Sequence, residues 1–405
     1  MKKTLLTILF AALALSYAEA QKKIPFVHNT NKMGGTRRTE IILPQVKGYN
    51  CYKADFHIHT TYSDGTVSPG GRVTEAWYDG LDIIAITDHL ESHSGVKRFF
   101  KVTAPYNENN KPTRYVAPGS TKMPSNGVDP GLKIDFNAIH NEAVSANKSK
   151  GYNLLIIKGC EMARNNEKLG HYNALFVEDL NTIYDFDLKN SFKKVKEQGG
   201  LIVHNHPNNV ESYETEWHAN VRKEKLIDGI EVANGYRYYP QMVNRCVNEK
   251  LFMLGNTDAH GLTAHHYGSV GNHRTMTFVL AKECTEKAIK EAILKRRTIA
   301  YAGGNLIGEE KWLEEFLNEA VECRLTSTTA GKKHKSHMYT LTNKSSITFY
   351  LRRGGSILKL EPFRTLTASY TPNEETKKVG KPKFTVMNMW HVDYKHPSFE
   401  LKIDK

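Results

Sequence analysis

Lys53-Ala54-Asp55-Phe56-His57-Ile58-His59, followed closely by Ser63-Asp64-Gly65, is the stretch from which the fold can be read. It is a short apolar run that ends in two imidazoles at i and i+2, and an extended strand puts such a pair on one side. The same kind of ending recurs down the chain. Leu81–Thr87 runs into Asp88-His89, and Tyr152–Lys158 runs into Gly159-Cys160-Glu161, with His171 ten residues further on. Leu201–Val203 leads to His204-Asn205-His206-Pro207, and Leu251–Leu254 leads to Asn256-Thr257-Asp258-Ala259-His260. Two more apolar runs, Gly229–Ala233 and Thr277–Ala281, complete the set. Between the runs lie amphipathic helical patterns at Val73–Tyr78, Phe136–Ala146, Leu188–Glu197, Gln241–Glu249 and Thr285–Lys295. This alternation predicts an α/β architecture, a barrel or a doubly wound sheet with helices outside.

In a parallel barrel the C-terminal strand ends converge on one face, where active sites lie. Residues distant in sequence would meet there. A single histidine at a strand end is usually a satisfied polar residue. Here seven histidines and the acids Asp64, Glu161 and Asp258 stand at strand ends or just beyond them. Burying that many ionisable groups together is costly unless a cation compensates. Imidazole and carboxylate without thiolate suit Zn, Mn or Fe. Ten candidate ligands exceed what one ion needs, so two or three divalent ions are expected. Such a cluster points to phosphate-ester hydrolysis, in which metals generate a bridging hydroxide and neutralise the phosphoryl oxygens.

Taken in order, His57-x-His59, Ser63-Asp64-Gly65, Thr87-Asp88-His89, Gly159-x-Glu161, Gly170-His171, His206-Pro207 and Asp258-x-His260 resemble the successive motifs of the PHP (polymerase and histidinol phosphatase) superfamily over about residues 51–275. The resemblance implies a distorted (β/α)7 TIM-like barrel with a two- or three-metal centre. It implies a first position at His57, His59, Glu161 and Asp258. Glu161 would bridge to a second position with His171 and His206. Asp64, His89 and His260 would form a third, with Asp64 where some relatives have His. The His-Pro pairing favours His206 over His204, which becomes a neighbour, and Asp88 is expected to orient a ligand imidazole. Glu161, Asp258 and His260 are the residues expected to act in catalysis. For substrate, Arg164, Arg237 and Asn173 are the candidates, because an Arg fork suits two phosphoryl oxygens at once. Each has a plainer reading as a surface or turn residue. The stretch Gly170-His171-Tyr172-Asn173-Ala174-Leu175-Phe176 resembles an exported branch of the family active on alkyl phosphodiesters.

The N-terminus adds a compartment. Lys2 and Lys3, an apolar stretch from Leu5 to Leu15, and Ala18-Glu19-Ala20 read as a secretory signal peptide over residues 1–20, placing the protein in the periplasm or outside a bacterial cell. Residues 21–50 read as an arm and 51–305 as the barrel. Residues 91–150 interrupt the barrel and are rich in Pro, Asn, Gly and Ser from 103 to 130, as either a lid or a surface insertion. Residues 306–405 read as an amphipathic helix, Glu310–Val321, followed by a small all-β sandwich to which no chemistry is assigned.

The 405-residue chain is 40% hydrophobic and 24% charged, ample for a large core, and no apolar run beyond the leader could span a membrane. Its five cysteines exclude a disulfide-dense scaffold. Its net charge of +13 suits an anionic partner of any kind. The basic run Lys332-Lys333-His334-Lys335 reads as a solvated loop, so a small phosphate ester rather than nucleic acid is the expected partner. No P-loop and no Gly-x-Ser-x-Gly elbow occurs, and Cys160 reads as a packed neighbour of Glu161 rather than a nucleophile. The expectation is a secreted metal-dependent phosphodiesterase. Two alternatives stand beside it: a phosphomonoesterase resembling histidinol phosphatase, and a surface-binding protein whose barrel is a relic.

Overall fold

The computed structural model describes residues 38–90, 135–163, 169–185, 187–207, 215–268, 273–330, 335–370 and 381–404. The expected signal peptide, most of the arm, residues 91–134 of the interruption and Arg164 lie outside them.

One curled, twelve-stranded sheet carries the first two thirds of the chain. Strands β1 (Asn50–Asp55), β2 (Ile83–Ile86) and β3 (Leu155–Met162) are parallel neighbours. β4 (Tyr172–Leu175) runs back antiparallel to both β3 and β5 (Leu201–His204). β5, β6 (Gly229–Asn234) and β8 (Phe252–Asn256) are parallel, and β7 (Arg237–Tyr238) folds back on β6. On the other side of β1, the strands β9 (Met276–Ala281), β10 (Thr298–Ala302) and β11 (Asn305–Gly308) alternate in direction. All seven expected runs are strands. The sheet is nevertheless mixed rather than wholly parallel, because β9 opposes β1 and four further strands join antiparallel. Only nine residues separate β3 from β4, fewer than the dozen or so that a parallel crossover needs.

Helices α1 (Pro69–Tyr78), α2 (Asn137–Ser149), α3 (Leu188–Glu197), α4 (Glu216–Lys223), α5 (Pro240–Glu249), α6 (Thr263–Tyr267) and α7 (Glu286–Leu294) connect the strands. Their starts follow local chemistry. Ser68 accepts from the Gly71 amide just before Pro69, and Thr285 accepts from the Ala288 amide. The barrel interior is filled by Ala54, Ile157, Val203, Leu254 and Val279, all buried strand residues.

After α8 (Glu310–Ala320) come two four-stranded sheets. One contains β12 (Val321–Ala330), β13 (Lys335–Asn343), β16 (Thr365–Tyr370) and β20 (Ile403–Asp404). The other contains β14 (Phe349–Arg353), β15 (Ser356–Leu360), β17 (Lys383–Val386) and β19 (Ser398–Glu400). Alternation buries Phe349 and Leu351 of β14 while Tyr350 and Arg352 face out. Phe316 of α8 lies between Phe278 of the barrel and Phe349 of the sandwich, at ring-centroid distances of 5.7 and 6.5 Å. β18 (Met389–Trp390) leaves the sandwich to pair with β11 of the barrel sheet. No disulfide joins any of the five cysteines. Among the described residues no helix is long and apolar enough to cross a membrane.

Candidate metal centre

β1 stops at Asp55, but the chain stays extended. The His59 amide donates to Ala259 O at 3.1 Å, and the Asp258 amide donates to His57 O at 2.9 Å. This pairing lays His57-Ile58-His59 beside Asp258-Ala259, with Ile58 buried in the core and both imidazoles facing the same space. The Nε2 atoms of His57 and His59 lie 3.1 Å apart, and each is 3.2 Å from Asp258 Oδ1. That oxygen is buried and accepts no well-directed hydrogen bond. Asp258 adopts φ +54°, in the left-handed region that carries strain for a non-glycine residue.

Glu161, at the end of β3, is the hub. Its Oε1 lies 3.4 Å from His57 Nε2, 3.2 Å from His171 Nδ1 and 3.4 Å from His206 Nε2. Its Oε2 lies 3.3 Å from both His59 Nε2 and His89 Nδ1. The third group follows from the Ser63-Asp64-Gly65 turn. A Cβ on Gly65 would stand 2.7 Å from the backbone of His59, so only glycine lets the turn fold back this closely. Asp64 Oδ2 is then 3.2 Å from His260 Nε2 and 3.6 Å from His89 Nε2. Four overlapping sets of metal-ligating atoms result: His59/Asp64/His89/His260, His57/His206/Asp258, His57/His59/Glu161 and Glu161/His171/His206.

The donor set fits divalent cations. Ligands about 2.1 Å from a tetrahedral ion stand about 3.4 Å apart, and the contacts given above, from 3.1 to 3.6 Å, bracket that spacing. Two carboxylates, the buried Glu161 and the half-buried Asp258, have only imidazoles as ion-pair partners among the described residues. The electrostatics agree. Burial works to lower the His59 pKa, yet Asp258 and Glu161 carry it up to about 10. His57 is likewise raised against burial by Asp258, Glu231 and Glu161. Burial would raise Glu161 and Asp258, but the surrounding histidines hold both well below the carboxylate range. Such a site draws positive charge, and protons and metal ions compete for it.

A supporting layer aims these groups. Asp88 accepts from the Thr60 amide at 2.7 Å and from Ser63 Oγ at 2.5 Å, and Ser63 in turn contacts His59 Nδ1 at 3.2 Å. Asp88 thus orients an imidazole through Ser63. Three further residues escape sequence reasoning. Arg72 of α1, fully buried, donates at 2.8 Å to each of the carbonyls of His59, Ala259 and Gly261, tying two ligand loops together. Asn205 Nδ2 donates at 2.8 Å to Glu161 Oε1 and to Asn173 Oδ1. Glu231 accepts from His57 Nδ1 at 2.9 Å. The available signal was a carboxylate inside an apolar strand, Gly229-Ile230-Glu231-Val232-Ala233.

One expectation changes. Asn173 is not a substrate donor: it is fully buried, and its Nδ2 donates to Phe56 O at 3.0 Å while its Oδ1 holds Asn205. His204 points away from the cluster and stacks on Tyr172 at 4.7 Å and His218 at 5.8 Å. His206 takes the place at Glu161. Arg237 is exposed on β7, in the hairpin that follows β6.

The PHP domain family model matches residues 55–232. That span includes His57 to His206 and stops short of Asp258 and His260. Among solved structures, a two-domain protein from Bacteroides vulgatus containing a predicted PHP-like metal-dependent phosphoesterase is 29% identical, with a TM-score of 0.75 over 91% of this chain and 99% of its own. A protein from Bifidobacterium adolescentis described as a metal-dependent phosphoesterase is 16% identical over 60% of this chain and 96% of its own, with a TM-score of 0.36. An amidohydrolase from Chromobacterium violaceum is 12% identical over 52% and 88%, with a TM-score of 0.33. Neither of these two bears on function. No protein of curated function matches. Residues 55–232 thus match a PHP domain, and the chain is similar over most of its length to a protein containing a predicted PHP-like metal-dependent phosphoesterase.

Proposed function

We propose that the protein is a secreted phosphodiesterase that uses two or three divalent ions, Zn, Mn or Fe, held by His57, His59, Asp64, His89, Glu161, His171, His206, Asp258 and His260. The observation that carries this reading is the Glu161 carboxylate, ringed by five imidazoles at 3.2 to 3.4 Å and shared by two of the ligand sets. Bound ions at these sets would supply Lewis acidity toward phosphoryl oxygens and lower the pKa of water.

The chain's own groups divide the remaining work. His171, His206 and His260 have side chains 33%, 27% and 40% exposed, so substrate reaches the centre from their side. Asp258 buries Oδ1 and presents Oδ2, which takes the proton of the attacking water. As water adds in line to phosphorus, the bond from phosphorus to the leaving alcohol oxygen breaks. His260 contacts the Asp258 carbonyl through Nδ1 at 2.8 Å, which leaves Nε2 for a cation or for protonating the departing alkoxide. Arg164 and Arg237 remain the candidate anchors for the phosphoryl oxygens. Diester over monoester rests on the Gly170–Phe176 stretch, and secretion rests on residues 1–20.

The test is to load the purified protein with each metal, measure its content, and assay bis(p-nitrophenyl) phosphate against p-nitrophenyl phosphate with and without chelator. Diester preference that chelator abolishes is the expected result. Monoester preference would favour the histidinol phosphatase-like alternative, and full loading without turnover would favour a binding protein.

A further inference from the structure

Glu231 lies on β6 with no solvent exposure and uses both carboxylate oxygens twice. Oε1 accepts from His57 Nδ1 at 2.9 Å and from Asn256 Nδ2 at 2.8 Å. Oε2 accepts from the His206 backbone amide at 2.6 Å and from Asn234 Nδ2 at 2.9 Å. The two oxygens therefore reach two ligands that each also serve a set without the other: His57 stands with His59 and Glu161, His206 stands with Glu161 and His171, and a further set of His57, His206 and Asp258 holds both. The His206 contact is unusual in kind. It grips the backbone of a non-glycine residue at φ +24°, a conformation that persists only where the surroundings enforce it.

Resting on the metal-centre reading above, we propose that Glu231 is a positioning residue that couples the loading of two cation positions, the one at His57 and the one at His206. A cation on His57 Nε2 requires the proton on Nδ1, and that N–H donates to Oε1. The donation orients the carboxylate plane, and the same plane presents Oε2 to the His206 amide. Holding that amide keeps His206 in its left-handed conformation and its ring toward Glu161. Filling one position thus prepares the other. A carboxylate alone meets this demand, because four donors converge on its two oxygens. An amide of the same shape has one acceptor oxygen. In Glu231→Gln its NH2 faces either the His57 Nδ1–H or the His206 and Asn234 donors, donor against donor.

The experiment titrates chelated wild type and Glu231→Gln with Co2+, following visible absorption and metal content, with the melting temperature of each chelated protein recorded. In wild type the two positions are expected to fill cooperatively. In Glu231→Gln both affinities fall by about 10- to 100-fold, the range for residues that orient metal ligands. Uptake at Asp64, His89 and His260 persists. Wild-type loading of the variant, or weakening of one position only, would overturn the coupling. If chelated Glu231→Gln does not fold, 15N spectra of Zn-loaded wild type decide instead. A protonated His57 Nδ1 and a strongly downfield His206 amide are expected, and an unprotonated Nδ1 would overturn the proposal. Failure of wild type itself to take up Co2+ would sink the metal-centre reading together with the coupling. Uptake without phosphoester hydrolysis would sink only the proposed reaction.

Discussion

In the barrel, His57, His59, His89, His171, His206 and His260 are pressed against one another and against three acids, at contacts of 3.1 to 3.6 Å. Among the described residues of the sandwich, His337 and His396 share no carboxylate with another histidine. His337 Nδ1 meets Thr328 Oγ1 at 2.7 Å, and His396 Nδ1 meets the Met389 carbonyl at 3.0 Å. One neighbour suffices for each of these, so they need no cation. The barrel histidines crowd carboxylates whose oxygens are not all met by well-directed hydrogen bonds, the buried Oδ1 of Asp258 among them. What separates a chemical site from a structural one here is how many ionisable groups share the same partner, more than how deeply each is buried.

This contrast can be broken in either region. The largest effect is expected from His59→Ala, which removes an imidazole common to two ligand sets. Hydrolysis should fall about a thousandfold or more, beyond the 10- to 100-fold typical of an orienting residue. Metal content measured on the same sample should fall with it, and near-normal turnover would contradict the assignment. Phe349→Ala, in the sandwich core, should cost about 3–5 kcal/mol of stability by denaturant melts. It should leave the metal content of the folded fraction unchanged, and metal loss there would tie the sandwich to the site. Asn205→Ala deletes one donor to Glu161 and should lower kcat about 10-fold with little change in melting temperature. A drop in stability without a kinetic defect would reduce Asn205 to packing. Ile357→Ser, on an exposed edge of the sandwich, should shift stability by no more than about 0.5 kcal/mol. A larger loss would reveal an unrecognised contact at that edge.

The clustering of these histidines and carboxylates was legible because the same event, an apolar run ending in His, Asp or Glu, happens five times, and a parallel core makes such ends meet. Repetition of this kind survives in a linear reading. Glu231 did not show because its neighbours are apolar and the strand looks like plain core. Arg72 did not show because a helix pattern says nothing about which carbonyls its buried side chain will reach. Asn205 lay in view between His204 and His206, yet its role depends on β4. That strand is four residues long and carries Asn173 within it, so it does not read as an apolar run. The same blind spot produced the misplaced role for Asn173, whose neighbour across the sheet could not be known before β4 was.

The excursion of β18 from the sandwich into the barrel sheet has a practical side for anyone trimming this chain. A fragment ending after α8 would leave β11 as a bare margin, with the backbone groups of Leu306 and Ile307 no longer capped by Met389 and Trp390. Open margins of that sort recruit other chains. The shortened protein would then tend to self-associate even with its catalytic face intact, and poor behaviour of a trimmed version would say little about the chemistry.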